Sequence, residues 1–168
     1  MALVLNTNSY VTVADADAYF ETRIDSAEWV TSSEDVKEQA LVTATSLVDD
    51  KSWIGYAVSS SQALAWPRKE AKYYDPKMGQ EISIADNEIP DRVKTAVYEQ
   101  ALHLVNNEDL LAGTTQTFES ISVGSISLTD SNSDVTRTSI SPSVVMKPIR
   151  PLIRKGTSGI GSEWWRAN

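Results

Sequence analysis

The stretch "SSEDVKEQALVTATSLVDD", residues 32–50, constrains the fold more than any other part of the chain. Val36, Ala40, Ala44, Leu47 and Val48 recur at helical spacing and form one apolar stripe. Ser32 stands where an N-cap is needed, and Asp35 follows three residues later in the manner of a capping box. A helix with such a stripe must bury it against a partner. The partner is "PDRVKTAVYEQALHLVNN", which opens with Pro90 near its first position and carries Val93, Ala96, Val97, Ala101, Leu104 and Val105 along one side. These two helices, near 32–50 and 90–107, define a mainly α small helical bundle.

The flanking segments are lighter. "LVL" and "YVTV" within residues 1–12 favour extended structure around a polar turn, "NTNS". Thr12 is placed to cap a helix running through "VADADAYFETRI", with Asp15 and Asp17 in its first turn. The long segment from Trp53 to Pro90 has no sustained period, and is expected to hold a short hairpin around "KYY" and "EISI". "FESISVGSISLTD" alternates apolar and polar residues on both sides of Gly124, which predicts a β-hairpin near 118–129. "SPSVVMKPIRPLI" predicts a short helix interrupted by Pro148 and Pro151. The expected organisation is one helical domain over 1–153 and an extended C-terminal arm over 154–168.

Charge separates these two parts. The chain has 15 basic and 23 acidic residues, a net charge of -8. From Lys147 onward five basic residues face one acid, leaving ten basic against 22 acidic residues in 1–146. A body at -12 repels nucleic-acid phosphates in general. No cysteine is present, which excludes disulfides and thiolate chemistry. "MALVLNTNSY" has neither the basic start nor the long apolar core of a secretion signal, so a cytoplasmic folding compartment is expected.

No motif for a reaction is visible. Asp15 and Asp17 lack a third ligand or a glycine-shaped loop, and His103 is the single histidine, so neither supports a metal site. His103 also lacks a nucleophile setting such as Gly-x-Ser-x-Gly. "GTSGIG" in the arm has no preceding strand and no following helix, and reads as a flexible spacer. The expectation is a non-enzymatic protein with no catalytic residues, no cofactor and no metal.

Two surfaces remain. Trp53, Trp66, Tyr73 and Tyr74 lie among Arg68, Lys69 and Lys72, the ingredients of a stacking platform for single-stranded nucleic acid, with Trp66, Arg68, Lys69 and Lys72 as its nucleus. The alternative is that Trp53 and Trp66 anchor an irregular segment onto the core. In the arm, Trp164 and Trp165 are costly to leave in water, yet burying two rings does not offset ordering a dozen residues. The arm is therefore expected to order through extra contacts with a partner or a neighbouring copy, Arg150, Arg154, Lys155 and Arg166 pairing with acidic surface there.

"NSYVTVADADAYF", "ALAWPR" and "IPDRVKTAVYEQAL" together resemble a tailed-bacteriophage family, the head–tail adaptor, connector or head-completion proteins of the neck. Similar sequences are often labelled DnaT-like single-strand-binding proteins. The resemblance covers roughly residues 8–112, more loosely to 153, and leaves the arm uncovered. It implies a homo-oligomeric ring of 12 copies beneath the portal protein, joined on its other side to a tail or nozzle protein. Double-stranded DNA would pass through the channel without specific binding. It also implies a place in the virion neck after assembly in the bacterial cytoplasm, with no membrane. The competing implication is a replication protein that binds single-stranded DNA, a role that normally requires a basic groove.

Overall fold

Thr12 fixes where the first helix begins. Its Oγ1 accepts from the Asp15 N–H at 3.1 Å, and Asp15 Oδ2 accepts from the Thr12 N–H at 3.1 Å, the reciprocal bonds of a capping box. The computed structural model describes residues 2–106, 121–123, 126–128 and 143–154. In it α1 (Val13–Phe20) buries Val13, Ala16 and Phe20. It stops four residues short of the sequence expectation. The Ser26 hydroxyl donates to the Phe20 and Arg23 carbonyls at 3.1 Å each and folds the chain into a second helix, α2 (Ala27–Thr31).

That short helix shifts the capping of the next one. The Ser32 hydroxyl donates to the Glu28 carbonyl at 2.7 Å and its N–H to Trp29 at 3.2 Å, so Ser32 closes α2 rather than opening α3. The N-cap of α3 (Glu34–Asp49) is Ser33, without a side-chain capping bond. The buried face of α3 is Ala40, Leu41, Ala44, Thr45 and Val48, while Val36 is exposed and Leu47 half-buried. The stripe has turned toward Leu41 and Thr45.

α4 (Asp91–Asn106) packs against α3 on one side and α5 (Ser143–Ile149) on another. Packing from two directions explains why Tyr98, Glu99, Gln100 and Leu102 are buried beside the expected Val93, Ala96, Val97 and Ala101. Leu104 and Val105 are partly buried. α5 carries Pro148 within its last turn, where the missing N–H removes a helical bond as the helix ends, and passes into a 3-10 turn (Arg150–Leu152) with Pro151 near its start. The Ile54 N–H then donates to Leu152 at 3.0 Å and the Arg154 N–H to Ser52 at 2.7 Å.

Among the described residues, three small antiparallel pairs complete the architecture. β1 (Tyr56–Ala57) pairs with β2 (Arg68–Lys69), and β3 (Lys72–Asp75) with β4 (Gln80–Ser83). The second of these is the hairpin expected around "KYY" and "EISI". β5 (Ile121–Val123) pairs with β6 (Ile126–Leu128) with Val123 opposite Ile126, the register expected on either side of Gly124. Residues 2–12 hold no strand. Asn6 at φ 61° turns the chain, Asn8 Oδ1 accepts from the Val4 N–H at 2.7 Å, and Leu5 and Ser9 form one isolated bridge. Among the described residues no helix is long and apolar enough to cross a membrane.

Candidate nucleic-acid interface

The segment between α3 and α4 is anchored by its tryptophans. Trp53 and Trp66 are buried with their rings edge to face at 5.7 Å, and Trp53 Nε1 donates to the Asp49 carbonyl at 3.1 Å. Trp66, followed by a cis peptide bond to Pro67, is 2% exposed and offers no ring face to a base. Of the two sequence readings for this pair, anchoring is the one seen.

Arg68 is also occupied. Its guanidinium donates to the carbonyls of Ile54 at 2.7 Å, Gly55 at 2.9 Å and Ala65 at 3.2 Å, clamping β1 to the loop before β2. Burial holds its pKa below the usual arginine value, and the positive charge of Arg154 adds to the effect. Arg154, assigned from sequence to a separate surface, thus contributes to the field around Arg68. Gly55 makes this crossing possible. It sits at φ +69°, and a Cβ there would lie 2.4 Å from the Lys69 carbonyl oxygen.

Lys69 and Lys72 are exposed, and each shares a strand face with a tyrosine. Tyr56 lies opposite Lys69 in the β1–β2 register and is 63% exposed. Tyr74 follows Lys72 by two residues on the outward face of β3 and is 62% exposed, with Glu81 opposite it. Tyr73 and Asp75 point the other way, Tyr73 beneath the Arg92 guanidinium at 5.2 Å and Asp75 paired with Arg92 at 3.4 Å. The Lys77 N–H donates to Asp75 Oδ1 at 2.8 Å, closing the turn that leads to β4. The outward rings are therefore Tyr56 and Tyr74. Strand alternation in "KYYD" points to Tyr74, whereas no local pattern marks Tyr56.

Residues 51–80 carry five basic residues against two acids, whereas residues 1–50 carry two against ten. The tyrosine–lysine pairs thus lie on a locally basic stretch of an acidic molecule, with Glu81 of β4 just beyond it and opposite Tyr74. Exposed tyrosines stack on bases of any identity, and lysines beside them neutralise phosphates, so each of the two strand pairs, β1–β2 and β3–β4, carries the chemistry for sequence-tolerant single-strand contact.

The other sequence candidates are elsewhere. Asp15 belongs to the capping box, and hydrogen bonds from Thr12 hold its pKa down. Burial pushes the Asp17 carboxyl up, but bonds from Lys37 and Trp29 outweigh it and leave the group below its usual range. Among the described residues no three His, Cys, Asp or Glu side chains gather as metal ligands. His103 lies exposed on α4. Arg150 is exposed on the 3-10 turn and Arg154 just beyond it. Lys155, Trp164, Trp165 and Arg166 lie outside the described residues.

Residues 2–166 match the family described as "Putative DnaT-like ssDNA binding protein". The chain belongs to that family. No curated protein and no solved structure matches it.

Proposed function

We propose that the protein is a non-enzymatic single-stranded DNA-binding protein that contacts its ligand through the outward tyrosine–lysine pairs of the two strand pairs, β1–β2 and β3–β4. The observation that carries this reading is the pairing of exposed Tyr56 and Tyr74 with Lys69 and Lys72 on the basic stretch of the chain. Membership of a family described by single-strand binding supports it. The surrounding acidity makes the binding weak, and its salt dependence is shallow, since few phosphates are neutralised and many acids repel the rest.

The test is fluorescence anisotropy with a labelled oligothymidylate at low and physiological salt. Binding that prefers single over double strands, falls with salt and drops roughly tenfold for each of Tyr56→Ala and Tyr74→Ala is expected, since each stacked base is worth about 1–3 kcal/mol. No single-strand preference at low salt would overturn the reading.

A second reading is a head–tail adaptor ring beneath a phage portal, favoured by the charge of the body. Ten acids against two bases in residues 1–50 suit a surface past which DNA must slide without sticking. On this reading the portal protein and a tail-side protein are the partners, and Arg150 and Arg154 start the arm that reaches them. Copy number in purified virions separates the two, because a ring component is present at parity with the portal.

A further inference from the structure

A groove of about 540 Å³ runs between the first three helices, remote in sequence from the tyrosine platform. Ala14, Ala18 and Glu21 of α1, Trp29 and Val30 of α2 and Lys37 of α3 line it. Its floor is rigid. Trp29 is fully buried, its Nε1 donates to Asp17 Oδ1 at 2.8 Å, and Lys37 Nζ binds the same oxygen at 2.8 Å while lying 5.6 Å from the indole centroid. Ala14, Ala18 and Val30, the last 66% exposed, form its apolar part, and the exposed Glu21 lines it as well. A shallow trough with an apolar part and an exposed acid fits an aromatic segment that carries positive charge.

The chain carries such a segment itself. Residues 154–168, "RKGTSGIGSEWWRAN", hold two adjacent tryptophans and three basic residues against one acid. Residues 155–168 follow Arg154, whose N–H is bonded to Ser52 just past the C-terminal end of α3. Lys37 lies in the first turns of the same helix. At about 1.5 Å per residue the helix separates these points by roughly 20 Å. An extended chain covers that in about six or seven residues. The spacer "KGTSGIG", residues 155–161, has that length, and brings Trp164, Trp165 and Arg166 level with the groove.

We propose that the α1–α3 groove is the docking site for the chain's own C-terminal arm, with the tryptophans over Ala14, Ala18 and Val30 and Arg166 facing Glu21. The pairing of Arg166 with Glu21 and the short, tethered path supply contacts beyond the two rings, and only residues 164–166 need be held, so the dock is a marginally stable covered state from which a stronger partner can draw the aromatic pair. Nothing in this inference depends on nucleic-acid binding.

The absence of native cysteine makes the test direct. Full-length protein carrying Ala14→Cys and Ala167→Cys is oxidised mildly, beside a control with Ser61→Cys and Ala167→Cys on an exposed loop. An intramolecular disulfide forming at least about tenfold faster than in the control is expected, since docking raises the effective concentration of the arm. Adding Val30→Asp, or the purely surface change Glu21→Lys should Val30→Asp perturb folding, slows it toward the control rate. Equal rates in the two pairs, or rates unmoved by both groove variants, overturn the proposal. Disulfide-linked dimers as the main product overturn it in favour of a second copy as the occupant.

Discussion

The Tyr10 phenol donates to Asp49 Oδ1 across 39 residues of sequence, and the same oxygen accepts the Ala65 N–H at 2.8 Å. The Trp66 N–H donates in turn to Tyr10 Oη at 3.0 Å, so one carboxylate joins the N-terminal turn, the end of α3 and the tryptophan-anchored segment. Asp49→Ala strands the Tyr10 hydroxyl and the Ala65 N–H together. A loss of about 2–4 kcal/mol is expected in urea unfolding, against about 1–3 for Tyr10→Phe. A loss below half a kcal/mol for Asp49→Ala would show that water replaces the carboxylate.

Three tyrosines give the stability an alkaline limit. Burial, aided by the charges of Asp15 and Asp91, pushes Tyr98 up to about 12. Burial raises Tyr10 and Tyr19 as well, with Asp49 and Glu99 adding to it respectively. The unfolded chain releases these protons near pH 10, before the folded one does. Their contribution is therefore complete below about pH 10 and is lost as pH rises through the folded values. Denaturation midpoints at pH 9 and 11 test this. The midpoint falls in the native chain, and the fall is shallower in Tyr98→Phe.

Arg23 Nη1 donates to Glu99 Oε1, and the Tyr19 hydroxyl donates to the same oxygen at 2.6 Å beneath a Tyr19–Tyr98 stack. Glu99 is 7% exposed on the helix that α3 and α5 flank. Removing only the cation leaves a buried carboxylate unpaired, so Arg23→Ala costs about 2–4 kcal/mol. The double variant Arg23→Ala with Glu99→Gln recovers part of that loss, because no unpaired charge remains. Chemical denaturation of the three proteins reads the cycle.

Two glycines at positive φ make a controlled comparison. Gly79→Ala meets nothing within 4 Å and bears only the left-handed backbone cost of about 1 kcal/mol. Gly55→Ala adds a collision with the Lys69 carbonyl and the Ala71 backbone, neither of which is a movable side-chain tip. A thermal midpoint lowered several-fold more by Gly55→Ala is expected, and equal effects would mean that β1 and β2 can separate without cost.

The platform and its anchor separate binding from stability. Trp66→Ala empties a fully packed site and costs about 3–5 kcal/mol. Tyr56→Ala removes a largely exposed ring, leaves the thermal midpoint within about half a kcal/mol of native, and lowers oligothymidylate affinity. Circular dichroism melts beside anisotropy titrations distinguish the two.

The long helices were legible because their apolar spacing is a local property, and both hairpins because alternation and turn residues are local too. α2 was hidden: five residues are too few to show a period, and missing it transferred Ser32 to the wrong helix end. The extended reading of residues 2–12 failed because the side chain of Asn8 satisfies the backbone that a strand would have used. At the proposed platform, composition singled out Lys69 and Lys72, both of which lie exposed, together with Trp66 and Arg68, which do not. It did not tell which aromatics face outward, since Tyr56 is placed by pairing with Lys69 and Trp66 by packing against Trp53, neither of them a local pattern.

The bonds from Ile54 to Leu152 and from Arg154 to Ser52 join positions about a hundred residues apart. A ribosome adding about 5–20 residues per second needs roughly 5–20 s to make the second partner after the first. During that interval Trp53 and the open side of α4 have no cover from α5. The nascent chain is therefore most exposed to wrong associations late in its synthesis, and this side of its core seals only when residues 150–154 have left the exit tunnel.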